Sequence, residues 1–61
     1  MYQLKIDITD HNYLTRTENE GIFKTIESAR RAAQEKRNIL FYQYMNHCIK
    51  NYSVDIVPVN Q

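Results

Sequence analysis

The hydrophobic positions of this chain change period twice, from two residues to about 3.6 and back to two. Residues 2–9 alternate strictly, with apolar side chains at Tyr2, Leu4, Ile6 and Ile8. Residues 52–57 repeat the alternation, with Tyr52, Val54 and Ile56 on one face. A period of two is typical of a strand that is half buried. Pro58 cannot donate a backbone hydrogen bond, so the last strand ends there or lies at a sheet edge.

The stretch between these strands has the period of a helix, which we predict over residues 25–46. Its apolar stripe consists of Ile26, Ala29, Ala33, Leu40 and Tyr44. Residues three, four and seven apart fall on one face of a helix, and Thr25 is a plausible N-cap. Residues 39–45 are apolar on nearly every side, so a strand is the alternative there. The lack of strict alternation and of Gly or Pro favours a continuing helix.

A hairpin is predicted to join the first strand to a second extended stretch, residues 13–18. If His11 and Asn12 form a two-residue turn, opposite charges face each other across the strands. The predicted solvent-face neighbours are Asp7 with Arg16 and Lys5 with Glu18. Thr15 and Thr17 then point toward the helix side. A slip by one residue would put an arginine on the apolar face, so we predict the two-residue turn.

These elements predict an α+β fold, a two-layer ββαβ sandwich in which one helix packs on a three-stranded, mainly antiparallel sheet. The last strand can lie beside the first, running antiparallel, or beside the second, running parallel. Because the first strand has the strongest apolar face, we place it at the centre. Residues 1–61 form one domain, and residues 59–61 are expected to be a loose tail.

Length and composition indicate a small soluble protein that gains stability from a partner. A chain of 61 residues buries only about 60% of the surface that it exposes when unfolded, and a single cysteine, Cys48, rules out an internal disulfide. The chain has no secretory leader and no apolar run of membrane-spanning length, so we expect a cytoplasmic protein without a membrane partner. The net charge of +1 argues against a strongly electrostatic partner.

The sequence offers little catalytic or metal-binding chemistry. His47 and Cys48 are adjacent, and adjacent helical residues point about 100° apart, which does not suit a nucleophile and its base. A metal site would need His11 to converge with both, and no ligand spacing supports that. The chain also lacks a glycine-rich phosphate loop. We therefore expect a protein that is not an enzyme and that holds no cofactor or metal.

The surplus of apolar residues in the second half of the predicted helix is the strongest functional signal. A three-stranded sheet covers one side of a helix, yet apolar side chains here point in three directions. Tyr, Phe and Met are also enriched at protein interfaces. We therefore predict a protein-binding or adaptor module that forms a homodimer through this half of the helix and also binds another protein. The predicted interface residues are Ile39, Phe41, Tyr42 and Met45.

A cluster of basic residues earlier in the helix supports an alternative function. Arginine beside an aromatic side chain can hold a phosphate or stack on a base, so the chain could bind nucleic acid or another anion. The candidate contacts are Arg30, Arg31, Lys36 and Arg37. A third alternative is an inhibitor that caps another protein's active site, which also needs no chemistry of its own.

Overall fold

The computed structural model describes residues 1–59, which form three strands and one helix. In chain order these are β1 (Tyr2–Thr9), β2 (Thr15–Phe23), α1 (Ile26–Met45) and β3 (Asn51–Pro58). The strands make one sheet in the spatial order β2-β1-β3, and both outer strands run antiparallel to β1. The α+β class, the central first strand and the antiparallel last strand are therefore confirmed.

The helix begins where the sequence predicts. Thr25 has extended backbone angles and its hydroxyl accepts a hydrogen bond from the Ser28 N–H at 3.2 Å, as an N-cap does. Glu27 lies in the first turn, where a negative charge is favoured by the helix dipole. The helix runs without interruption to Met45. Residues 39–45 are therefore helical, and the alternative of a strand there is excluded.

The helix ends in a Schellman motif that has His47 at the position usually taken by glycine. The Cys48 N–H donates to the Gln43 carbonyl at 2.8 Å, and the His47 N–H donates to the Tyr44 carbonyl at 3.1 Å. These two bonds satisfy carbonyl groups that a helix end would otherwise leave open. His47 has a φ of 59°, a left-handed conformation that costs an L-residue energy.

Replacing His47 with glycine should raise the free energy of unfolding by about 0.5–1 kcal/mol, because glycine adopts a positive φ without steric cost. The increase in the free energy of unfolding is smaller than the energy cost of the positive φ, because glycine also has more conformational freedom in the unfolded chain. Urea denaturation of the two proteins measures it. Asn46→Gly is the matched control, because Asn46 has a φ of −91° and should not be stabilised. Equal loss of stability in both variants would contradict this interpretation.

The core lies between α1 and the sheet and is centred on β1. The buried apolar residues are Leu4, Ile6, Ile8, Ala29, Ala33, Leu40, Ile49 and Val54. Small side chains at Ala29 and Ala33 are fully buried, which lets the first half of the helix approach the sheet closely. In the second half, Leu40 is the one helix residue that fills the core. The helix therefore has a narrow buried stripe.

The hairpin register differs by one residue from the prediction. Asp7 faces Thr17, and Ile8 faces Arg16, so the predicted pairs Asp7–Arg16 and Lys5–Glu18 do not form. Asp7 instead accepts a hydrogen bond from the Thr17 hydroxyl. The face of β2 that turns toward the helix carries Arg16, Glu18 and Glu20, and the two threonines lie on the solvent face.

A three-residue loop causes this shift. The Asp10 N–H donates to the Leu14 carbonyl at 3.0 Å and closes the hairpin around residues 11–13. The Asp10 carboxylate accepts from the N–H groups of Asn12 and Leu14, and Tyr13 takes a φ of 64°. A type I turn followed by a left-handed residue is a common three-residue hairpin loop.

The arginine on the helix side of β2 remains in water because α1 lies over β1 and β3. The Arg16 side chain is 71% exposed and pairs with Glu18 at 3.3 Å. The predicted register kept arginine off the apolar face of the sheet, but Arg16 lies on that face where β2 is open to water. Just after β3, the Val59 N–H donates to the Met1 carbonyl at 2.8 Å, so Val59 is held beside β1 and is not loose as predicted. The remainder of the predicted tail, residues 60 and 61, lies outside the described residues.

Candidate interaction surface

The second half of α1 exposes large apolar side chains, whereas the exposed residues of the first half are polar. Tyr42 is 70% exposed and Met45 57%, and Ile39 and Phe41 are at least half exposed. All four predicted interface residues therefore lie on the surface of a single copy. We call them, together with Tyr44, the helix surface.

The position of Leu40 explains this exposure. Leu40 is 2% exposed and fixes the side of the helix that meets the sheet. Phe41 and Tyr42 follow it at steps of about 100°, so they point to the flank and to the outside of the helix. Phe41 and Met45 are four residues apart and share one flank. Three apolar residues in succession cannot all reach a core that lies on one side.

Tyr44 is a surface residue that the sequence analysis assigns to the core. Its ring makes an edge-to-face contact with Tyr52, with ring centroids 6.1 Å apart and an interplanar angle of 67°. It is nevertheless 45% exposed, because β3 is an edge strand of the sheet. Tyr44 lies on the side of the helix that was predicted, but it is more exposed than a residue of the buried stripe was expected to be. The hydroxyl of tyrosine is the signal that could have indicated this, since buried tyrosines usually need a hydrogen-bond partner.

On the opposite flank, Ile39 borders an open groove between α1 and β2 with a volume of about 300 Å³. The groove is also lined by Leu4, Phe23, Ala32 and Lys36. Phe23 packs against the core from this side, yet Ile39 remains 54% exposed. The connection after β2 therefore covers this flank incompletely.

The four basic candidate residues do not form one surface. Lys36 turns toward β2, where its ammonium lies 3.3 Å from a Glu20 carboxylate oxygen. Arg37 turns toward β3 and donates to the Val54 carbonyl at 2.9 Å. Arg30 and Arg31 are exposed and have no hydrogen-bond or ion-pair partner within residues 1–59. Two of the four groups are therefore engaged inside the molecule, on opposite sides of the helix.

The histidines and the cysteine make contacts typical of structural residues. The His11 imidazole Nε2 lies 2.6 Å from the His47 carbonyl oxygen, which ties the hairpin loop to the end of the helix. The Cys48 thiol lies 3.8 Å from the Asn46 carbonyl oxygen. In the described part of the chain, no three His, Cys, Asp or Glu side chains are close enough together to hold a metal ion.

Comparison with known proteins gives no relative from which a function could be carried over. The chain matches no known protein family, no curated protein and no solved structure. Its one helix within residues 1–59 does not combine the length and the apolar composition needed to cross a membrane. The geometry of the helix surface is therefore the main guide to function.

Proposed function

We propose that this chain is a protein-binding module that associates with a second copy of itself through the helix surface. The observation that carries the proposal is the exposure of Phe41, Tyr42 and Met45 on one half of one helix. Scattered single apolar residues are normal on protein surfaces, but a contiguous patch of aromatic and Met side chains is typical of interfaces.

The size of the patch suits one helix packed against another. A standard interface covers about 800 Å² per partner, which is roughly one sixth of the 4602 Å² accessible surface of this chain. Ten helical residues extend about 15 Å, so the second half of α1 can supply the centre of such an interface. Polar neighbours at its border include Gln34 and Asn38, whose side chains are hydrogen-bonded to each other at 3.0 Å. An apolar centre with a polar rim is the usual anatomy.

Association would also stabilise the fold. A chain of this length supports only a small core, and binding between folded copies favours the folded state by mass action. The groove beside Ile39 lies on the other flank of α1. Its lining residues Leu4, Phe23 and Ala32 lie outside the helix surface. They leave an apolar area for a different protein when a second copy occupies the helix surface, which fits an adaptor role.

The double substitution Tyr42→Glu, Met45→Glu should abolish self-association without unfolding the chain. Both side chains are mostly exposed, so the monomer loses few contacts, while the dimer would place four carboxylates in an apolar interface. Sedimentation velocity at micromolar concentrations should show a dimer for the original protein and a monomer for the variant. Leu14→Glu is the matched control, since Leu14 is 67% exposed on the hairpin and lies outside the helix surface.

Two outcomes would contradict the proposal. If the unsubstituted protein stays monomeric at the highest concentration tested, the proposal of self-association is wrong. Submicromolar binding to DNA or RNA that is lost on reversing the charges of Arg30 and Arg31, and that weakens steeply with salt, would favour the nucleic-acid alternative. We expect instead little effect of these reversals, because the other two basic residues, Lys36 and Arg37, are engaged within the molecule.

A further inference from the structure

Within residues 1–59, the outer edge of β3 presents backbone groups that no neighbouring strand satisfies. In an antiparallel pair, the N–H and C=O groups of alternate residues point to the same neighbour. The register pairs Asp55 with Lys5 and Val57 with Gln3, and the Val59 N–H donates to the Met1 carbonyl. The backbone N–H and C=O groups of the odd-numbered residues of β3 therefore point toward β1. The N–H and C=O groups of Tyr52, Val54 and Ile56 therefore point away from the sheet.

Three features of the chain occupy or blunt this edge. The Arg37 guanidinium reaches over from α1 and donates to the Val54 carbonyl at 2.9 Å. The Asn51 side-chain oxygen accepts from the Tyr52 N–H at 2.8 Å. Pro58, at the end of the strand, has no N–H to offer. Natural sheets protect exposed edges with charges and prolines in this way, because an open edge can pair with another chain.

The remaining edge groups are complementary to a second copy of β3. If two β3 strands pair antiparallel with Val54 opposite Val54, each Tyr52 faces an Ile56 of the other copy. The Val54 and Ile56 N–H groups then find carbonyl partners, whereas the Tyr52 N–H already donates to Asn51. Ser53 then faces Asp55 on the solvent side, which brings no like charges together. Centring the pair on Asp55 would place two carboxylates opposite each other, which is unfavourable.

We propose that the edge of β3 is a strand-pairing site for β3 of a second copy, and that Arg37 keeps this site closed. In the register centred on Val54, the two Val54 carbonyls must accept from each other's N–H groups. Arg37 occupies that carbonyl in each copy, and pairing would also bring two guanidinium groups toward the same axis. Both effects oppose pairing, so removing Arg37 opens the edge.

The inference is independent of the helix surface and assigns Arg37 a role in limiting assembly. A protein that associates through two different two-fold surfaces assembles beyond the dimer, into closed tetramers or open chains, whereas one two-fold surface gives a closed dimer. With the β3 edge closed by Arg37, association is confined to one surface. The aggregation that an unprotected edge permits is avoided.

The test uses Arg37→Met in the background of Tyr42→Glu, Met45→Glu. These background substitutions are expected to remove association through the helix surface, so the experiment measures association through the β3 edge alone. Methionine keeps an apolar stem and removes the donor and the charge. We expect the Arg37→Met variant to self-associate about tenfold or more tightly than the background. Amide exchange at Val54 and Ile56 should slow with rising concentration. Arg30→Met is the matched control, because Arg30 is an exposed arginine on the same helix with no hydrogen bond to β3 within residues 1–59, and it should not change association.

Circular dichroism first establishes that each variant is folded. A folded Arg37→Met variant that stays as monomeric as the Arg30→Met control would overturn the proposal. So would association in which the exchange of the Val54 and Ile56 amides is unchanged, because the strands would then not be paired. If the helix surface fails to mediate dimerisation, the background substitutions have no effect and the Arg37 comparison still decides the matter.

Discussion

Replacing Leu40 with alanine should lower the free energy of unfolding by about 2–5 kcal/mol. Leu40 is 2% exposed and packs with the buried side chains of β1 and β3, so truncation removes buried methyl groups and leaves a cavity. A domain of this length has a total stability of about 3–9 kcal/mol. The variant should therefore lose a large fraction of its stability, which urea denaturation followed by circular dichroism would show as a lower transition midpoint.

Ile39→Ala is a matched control because it removes an aliphatic side chain of the same size from the preceding helical position. Ile39 is 54% exposed, and alanine is the better helix former, so we expect a change within about 1 kcal/mol. Both variants should be measured at a concentration at which the protein is monomeric, since association would stabilise the folded state. Similar losses in the two variants would show that Leu40 does not hold the helix to the sheet.

The order of the elements and the extent of β1, α1 and β3 could be predicted from the sequence because they depend on local patterns. The extent of the second strand was predicted wrongly, since β2 runs over Thr15–Phe23 and not over residues 13–18. The alternation through β1 and the helical spacing after Thr25 each indicate their structure without reference to the rest of the chain. The position of β1 at the centre followed from the strength of its apolar face, which Leu4, Ile6 and Ile8 supply. The helix over residues 39–45 could be predicted because apolar and polar residues do not alternate there. In these elements, the burial of the apolar side chains and the backbone hydrogen bonds favour the same structure as the local sequence pattern.

The hairpin register could not be predicted because it depends on contacts distant in sequence. Tyr13 has a positive φ, which tyrosine rarely adopts. Asp10 is a local turn signal, since its carboxylate accepts from the N–H groups of Asn12 and Leu14, but it does not fix the loop length. The Lys50 ammonium stabilises that conformation by donating to the Tyr13 hydroxyl at 3.0 Å and by lying 4.2 Å from the ring centroid. The register argument also took arginine on the helix side to be unfavourable, whereas Arg16 lies on that side and remains in water.

The candidate surface could be predicted in outline from an excess of apolar residues over the area that one sheet can cover. That reasoning located Phe41, Tyr42 and Met45 correctly as exposed side chains. It could not show which basic residues stay accessible, because Lys36 and Arg37 take partners on strands that are far away in sequence. The role of the surface in self-association stays a prediction that the sedimentation experiment tests.

Replacing Gly21 with alanine should lower the free energy of unfolding by about 2–4 kcal/mol, from two separate causes. Gly21 has a φ of 71°, and a Cβ atom there would lie 2.7 Å from Cε2 and Cζ of the Phe23 ring. It lies where the pairing of β1 with β2 shifts register, as expected for glycine at a β-bulge. The ring cannot retreat freely, because Phe23 packs against the core.

A double-mutant cycle separates the backbone strain from the clash with the ring. In a Phe23→Ala background the ring is absent, so Gly21→Ala should cost only the strain of a positive φ, about 1–2 kcal/mol. Asn19→Ala, at an exposed position of the same strand, is the matched control and should change stability little. An equal cost of Gly21→Ala in both backgrounds would assign the whole effect to φ. No cost in either would show that β2 relaxes out of the bulge, because alanine then adopts an ordinary extended conformation.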